Sequence, residues 1–380
     1  MIRRKISKNI REELQYYPAV TLLGPRQVGK TTLAKSLGGL YYDLEKEGDR
    51  NRVDIDWDSI VDQKKLVIFD EAQECPWVFN RLRSAIDEDR NRHGRFLLLG
   101  SISQWIMKQV TQSLAGRIAL FELTPLLATE IKPPQLDQLW LCGGYPKGGI
   151  QRLAAFPKWQ NGYISTLTER DLPTWGLSAK PLLTQRLLRM LAVDHGQLWN
   201  ASRIGQSLGI NYSTVEGYTD WLEGAFIVRR LYSYHANIGK RLRKRPKFYI
   251  RDSGLLHDLL NISTRDGLLS QPWVGASWEG FVIEQIINTL TTIGRQCRPY
   301  YFRTSNGVEI DLVLEFGSER WAIEIKLTSN PSKGDLQQLN KAADMIGATR
   351  RILVSRMKRS ADSGTVLLCN LNRLLKELTK

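Results

Sequence analysis

Lys30 and Thr31 follow Gly24 and Gly29 in "GPRQVGKTT", residues 24–32. Glycines at this spacing let the backbone fold its N–H groups around phosphate oxygens, and a helix opening near Lys30 aims its positive end at them. Gly24, Pro25, Arg26, Gln27, Val28, Gly29, Lys30, Thr31 and Thr32 would then line the phosphates of a nucleotide. Lys30 would reach the β- and γ-phosphates, and the Thr31 hydroxyl would go to Mg²⁺. The context fits, because the apolar run "AVTLL" precedes the loop as a strand and "KTTLAKSL" follows it as a helix.

A second chemical element lies in "KKLVIFDEAQE", where an apolar strand leads directly into Asp70 and Glu71. This is a Walker B pattern. Asp70 would hold Mg²⁺ through water, and Glu71 would orient or deprotonate the water that attacks the γ-phosphate. A third apolar strand, "RFLLLGS", ends in Ser101, either as a sensor beside the γ-phosphate or as a cap for the next helical run, "SQWIMKQV".

Together, "GPRQVGKTTLA", "LVIFDEAQ", "LLLGS", "LAGRIALFELTPL" and "GGYP" resemble a prokaryotic family of AAA-type ATPases. In that family a P-loop domain is followed by a winged helix and a C-terminal nuclease-like domain. The resemblance spans nearly the whole chain. It implies ATP as the nucleotide, Mg²⁺ as its cofactor, and a homo-oligomer in which Arg117 and Arg26 lie near phosphates of their own or a neighbouring subunit. A purely structural role for Arg117 stays open.

The elements that would couple such a site to a partner lie downstream. Helical periodicity runs from Leu136 to Leu191, broken at "GGYP". "NASRIGQSLGINYSTVEGYTDWLEG" then reads as two short helices joined at Gly209, with Asn200 capping the first and a Ser213–Glu216 capping box opening the second. Two strand-like runs, "FIVRRLYSY" and "KFYIRD", flank "GKRLRKRPK" and complete a winged helix with a basic wing. Lys240, Arg241, Arg243, Lys244, Arg245 and Lys247 would meet DNA phosphates, whereas Glu216, Asp220 and Glu223 make base readout by the second helix doubtful.

At the C-terminal end, "GASWEGFVIEQIINTL" has the spacing of an amphipathic helix carrying Glu279 and Glu284, and "YYFRTSNGVEIDLVLEFGSERWAIEIKLT" reads as a β-meander. Asp311, Glu324 and Lys326 form a D…E-x-K arrangement, which resembles the active site of the restriction-endonuclease-like fold. The resemblance implies Mg²⁺ on Asp311 and Glu324, with Lys326 polarising water and Glu279 completing the cluster.

The expected fold class is α/β and multidomain: a P-loop AAA-type ATPase domain (1–135), a helical connector (136–182), a winged helix-turn-helix (183–255) and a nuclease-like α/β domain (264–380). The 54 Lys and Arg against 39 Asp and Glu give a net charge of +15, which points to polyanions such as DNA. Four scattered cysteines and no long apolar run predict a cytoplasmic protein without a membrane span, and four isolated histidines predict neither triad nor zinc site. The leading reading is an Mg²⁺-dependent ATPase coupled to DNA, with or without cleavage. The alternative is a slow nucleotide-gated switch that docks a protein partner through the winged helix and carries an inactive nuclease-like domain.

Overall fold

The computed structural model describes residues 2–101, 114–234 and 245–379. It confirms a mixed α/β multidomain chain with two compact units, one comprising Met1–Leu126, Gly224–Phe226 and Thr291–Gly294, the other Leu127–Glu223, Ile227–Leu290 and Arg295–Lys380.

The first unit is built on a parallel five-stranded sheet. Its strands are β1 (Ala19–Leu23), β2 (Leu40–Asp43), β3 (Val67–Asp70), β4 (Phe96–Gly100) and β5 (Ile118–Glu122), in the spatial order β2-β3-β4-β1-β5. Side chains alternate across each strand, and both faces are covered. Ala19, Leu23, Phe69, Phe96 and Leu98 enter one apolar core, while Val20, Leu22, Ile68, Leu97 and Leu99 enter the other. This explains why β1, β3 and β4 read as continuous apolar runs, and it brings their C-terminal ends to one edge. Helix α1 (Ile6–Glu13) and helix α2 (Lys30–Leu37) pack in the second core through Ile6, Ile10, Leu33 and Ala34.

In the second unit the helices α3 (Leu136–Cys142), α4 (Lys158–Thr166) and α5 (Pro181–Val193) precede a helical pair, α6 (Ala201–Leu208) and α7 (Tyr212–Gly224). Strands β6 (Val228–Leu231) and β7 (Lys247–Ile250) follow as an antiparallel pair. Asn200 caps α6 by accepting the Arg203 N–H at 3.2 Å. The expected Ser213–Glu216 box does not form. Asn211 caps α7 instead, accepting from the Thr214 N–H at 2.8 Å and from the Ser213 hydroxyl at 2.7 Å. Glu216 is drawn away by the Trp199 indole N–H at 2.7 Å and by Arg230 at 3.0 Å. Arg230, on β6, also takes Asp220 and Glu223, so all three acids of α7 share one guanidinium.

The helix α8 (Val274–Thr292) leads into a six-stranded mixed sheet. Strands β8 (Arg298–Arg303), β9 (Glu309–Phe316) and β10 (Glu319–Ile325) form the antiparallel meander. Helix α9 (Lys333–Ile346) then crosses over to β11 (Arg350–Val354), which pairs parallel to β10. The sheet ends with β12 (Ala361–Asp362) and β13 (Val366–Cys369), in the order β12-β13-β11-β10-β9-β8. Leu339, Ala342, Ala343 and Ile346 of α9 pack on Ile310, Ala322 and Leu353 of the sheet. No helix among the described residues is long and apolar enough to cross a membrane.

Candidate active site

The loop between β1 and α2 carries the first cluster of chemistry. Gly29 adopts a left-handed conformation (φ 103°) as the N-cap of α2, and no side chain caps that helix end. The amides of the first turn therefore stay available to phosphate oxygens. Gly24 has φ 152°, and a Cβ there would lie 2.3 Å from the Leu123 carbonyl oxygen. Gly24→Ala must push β1 away from the segment after β5, and should cost at least about 2 kcal/mol of unfolding free energy by denaturant titration. An unchanged midpoint would show that the loop has another resting conformation. Arg4 donates to the carbonyls of Val28 and Thr124 at 3.2 and 2.6 Å, tying the buried side of the loop to the sheet.

Lys30 is buried and donates to the Gly24 and Pro25 carbonyls at 2.8 and 3.0 Å and to the Ser101 hydroxyl at 2.9 Å. Burial lowers the Lys30 pKa from its ordinary value, while Glu71 and Asp70 oppose the shift. Ser101 in turn donates to the Glu71 carboxylate at 3.1 Å. A continuous chain thus runs from the loop lysine through the end of β4 to Glu71. The helix that Ser101 was alternatively expected to cap, at 103–110, lies outside the described residues.

Asp70, at the end of β3, accepts the Thr31 hydroxyl at 2.6 Å. A hydroxyl and a carboxylate oxygen this close form a hard-oxygen pair of the kind Mg²⁺ takes alongside phosphates and water, so these residues fit the ion. Glu71 has left-handed backbone angles (φ 50°, ψ 50°) unusual for a residue with a side chain. Its N–H donates to Asp70 Oδ1 at 3.0 Å, and Gln73 donates to its Oε2 at 2.6 Å. The first contact holds the Glu71 backbone against Asp70, and the second fixes the Glu71 carboxylate.

Two partners escaped the sequence reading. Gln73 is one. The other is Tyr41 on β2, whose hydroxyl donates to Asp70 Oδ2 at 2.7 Å, the same oxygen that Thr31 uses. Burial and Asp70 raise the Tyr41 pKa above its ordinary value, so the phenol stays a donor. Tyr41→Phe should raise the Mg²⁺ concentration for half-maximal turnover by about 10-fold, the worth of one hydrogen bond to a charged group. An unaltered Mg²⁺ dependence would make Tyr41 a packing residue only.

Both candidate arginines pair with acids of this chain, and Arg26 does so from within the loop, where its charge acts on Lys30. Arg117 makes a forked pair with Asp87 at 2.9 and 3.0 Å, and Arg26 pairs with Glu45.

The second cluster lies in the C-terminal sheet and its helix. Asp311 on β9, Glu324 on β10, Lys326 just beyond it and Glu279 on α8 all line one pocket of about 520 Å³. Lys326 pairs with Glu324 at 2.6 Å, and Asp311 Oδ2 accepts the Ile325 N–H at 2.9 Å. Glu284, further along α8, is taken by Arg229 and Arg251. Burial, with Glu279 and Glu324 nearby, pushes the Asp311 pKa well above the usual carboxylate range. Burial also raises that of Glu324, against the pull of Lys326.

Lys247 is the main correction. Expected to face DNA from the wing, it is 4% exposed and sits inside this cluster, 3.0 Å from Glu279, 2.5 Å from Glu309 and 3.8 Å from Asp311. Pairing with β6 fixes which way β7 turns its first side chain, and that direction is inward. Tyr249, two residues on, donates to the same Glu279 oxygen at 2.6 Å. The fit to a divalent ion is therefore poor, and among the described residues no group of three or more His, Cys, Asp or Glu is placed to hold a metal. Of the remaining wing residues, Arg245 is exposed, while Lys240, Arg241, Arg243 and Lys244 lie outside the described residues.

Comparison with known proteins places these sites in context. Residues 16–132 match an AAA domain family; residues 133–266 and 274–374 match two domains of unknown function, DUF8612 and DUF4143. The uncharacterized protein Rv2008c of Mycobacterium tuberculosis is 40% identical over 336 residues, covering 87% of this chain and 75% of the relative. Mb2031c of Mycobacterium bovis matches to the same extent. Among solved structures, the DNA clamp loader delta protein of Bacillus subtilis is 14% identical, with 57% of this chain and 87% of that one covered at a TM-score of 0.24. A STAND protein with a tetratricopeptide repeat sensor from Pyrococcus horikoshii is 13% identical, with 74% and 46% covered at a TM-score of 0.22. The two structural likenesses are too slight to bear on function. The match to Rv2008c is not: this chain belongs to the same family, and its residues 16–132 form an AAA-type P-loop ATPase domain.

Proposed function

We propose that the protein hydrolyses ATP with Mg²⁺ at the β1–α2 loop and couples its nucleotide state to engagement of duplex DNA. The observation that carries the catalytic half is the linked set Lys30–Ser101–Glu71 beside Thr31–Asp70, all at hydrogen-bonding distance. Mg²⁺ would be held by Thr31 and, through water, by Asp70, and it would reduce the repulsion between phosphates and an incoming nucleophile. Lys30 would trade its carbonyl contacts for phosphate oxygens. Glu71 would accept the proton of the attacking water, and Ser101 would report the loss of the γ-phosphate to both residues. Arg117 could join the site only by leaving Asp87, so no step is assigned to it; a homo-oligomer in which a neighbour supplies an arginine belongs to the same proposal.

The DNA half is supported by the net charge of +15 and by five basic residues at 240–245 between β6 and β7, in a helix–helix–β-pair arrangement that fits a winged helix. Arg230 offsets one of the three acidic charges of α7, so that helix stays acidic and the proposed DNA contact falls to the basic segment rather than to base readout. The order α8, β8-β9-β10, α9, β11 is an αβββαβ core and supports the nuclease-like reading of residues 264–380. Domain boundaries at 135, 182 and 255 belong to the same proposal.

The test is salt-dependent duplex binding by the wild type and by a variant reversing Lys240, Arg241, Arg243 and Lys244 to Glu. Each lost phosphate contact should flatten the log–log salt slope by about 0.9. An unchanged slope would move the partner from DNA to a protein docked on the winged helix.

A further inference from the structure

We infer that Lys247 is the resident cation of the C-terminal carboxylate cluster, filling with its ammonium the place where the nuclease-like fold would take a divalent metal. The inference rests on the nuclease-like reading of this domain.

The geometry is specific. Lys247 enters from β7, outside the meander, and reaches Glu279 of α8 together with Glu309 and Asp311 of β9. Of these three carboxylates, Asp311 is one expected to bind metal and Glu279 one expected to complete the cluster. Three carboxylates surround the buried ammonium and compensate its positive charge in the pocket. The ring of Tyr301 lies 5.8 Å from the ammonium. A divalent ion needs carboxylate oxygens at about 2.0–2.6 Å around it. An ammonium among those same oxygens would repel the ion at close range. Lys247 and a divalent cation therefore exclude one another.

A second, independent observation shows that the pocket keeps unused acidic capacity. Glu324 is 7% exposed, and its Oε2 has no hydrogen-bond partner among the described residues, while Oε1 is taken by Lys326. With Glu324 still short of a ligand, Lys247 is the group that closes the site. Asp311, Glu324 and Glu279 are not placed as a ligand set while Lys247 holds Glu279 and Asp311; removing its charge should let the three carboxylates close on a divalent cation.

The experiment counts bound Mn²⁺ on the nucleotide-free full-length chain from the electron paramagnetic resonance signal of the free ion. Lys247→Met should bind one Mn²⁺ per chain more than the wild type, at least 10-fold tighter than any wild-type site, and lose it when Glu324→Gln is added. A lone Lys247→Met leaves buried carboxylates uncompensated and can impair folding. A second variant, Lys247→Gln with Glu309→Gln, keeps the formal charge of the cluster and should show the same extra ion. Equal Mn²⁺ counts in the wild type and a folded variant would overturn the inference, as would nicking of supercoiled plasmid by the wild type that is lost on Asp311→Asn. The count is read without DNA, so it stands apart from the salt-slope test of DNA engagement.

Discussion

Lys30→Ala should abolish Mg-ATP turnover, lowering phosphate release by at least about 100-fold, the scale on which a single preorganised cationic or N–H contact to a developing negative charge acts in a water-poor site. The structure makes this loss more than one of charge. The Lys30 ammonium bridges the Gly24 and Pro25 carbonyls to Ser101, so the alanine variant also frees Ser101 from the loop and loosens its hold on Glu71. Nucleotide affinity should fall as well, because the buried ammonium would no longer meet the β- and γ-phosphates. Phosphate release measured with a coupled assay checks it. A variant that hydrolyses at the wild-type rate would remove the β1–α2 loop from the chemistry altogether.

Glu71→Gln should separate binding from turnover. The amide can still take the Ser101 hydroxyl on its oxygen, and its shape suits the strained backbone at φ 50°, but it cannot accept a proton from water. Loss of a positioned general base costs about 10²–10⁴-fold. Turnover should drop by that factor while a fluorescent ATP analogue binds within about 3-fold of its wild-type affinity, since no contact to the phosphates is removed. Normal hydrolysis by Glu71→Gln would place the base elsewhere. Joint loss of binding and turnover would mean that the carboxylate charge mainly holds Lys30 and its loop.

Much of the first unit was legible because its chemistry is local in sequence. The loop glycines, Lys30 and Thr31 are contiguous, Asp70 and Glu71 end an apolar strand, and a sheet buried on both faces leaves unbroken apolar runs at β1, β3 and β4. What sequence could not supply was pairing over distance. Tyr41 lies in "LYYD", where nothing marks which aromatic ring turns toward Asp70, and Gln73 looks like any polar residue of a turn. Asn211 caps α7 in place of Ser213, and Glu216 goes to Trp199 and Arg230, side chains of the flanking segments whose direction the capping-box pattern does not reveal.

Lys247 shows the same limit most sharply. It closes the run "KRLRKRPK" and shares its composition, so charge density grouped it with the wing. Its position as the first residue of a paired strand decides otherwise, turning it toward Glu279, Glu309 and Asp311. Asp311, Glu324 and Lys326 line one pocket, yet the cation that meets part of the cluster comes from a strand outside the motif. Motif spacing alone describes the acids and misses what already balances them.

Nucleotide turnover at Lys30 is proposed to be coupled to DNA. Phosphate release from Mg-ATP by the full-length chain, with and without duplex DNA and with Lys30→Ala as the blank, tests it most directly. Lys30-dependent release should rise several-fold when duplex DNA is added; Lys30-dependent release that ignores DNA at every salt concentration would show that turnover and DNA are uncoupled.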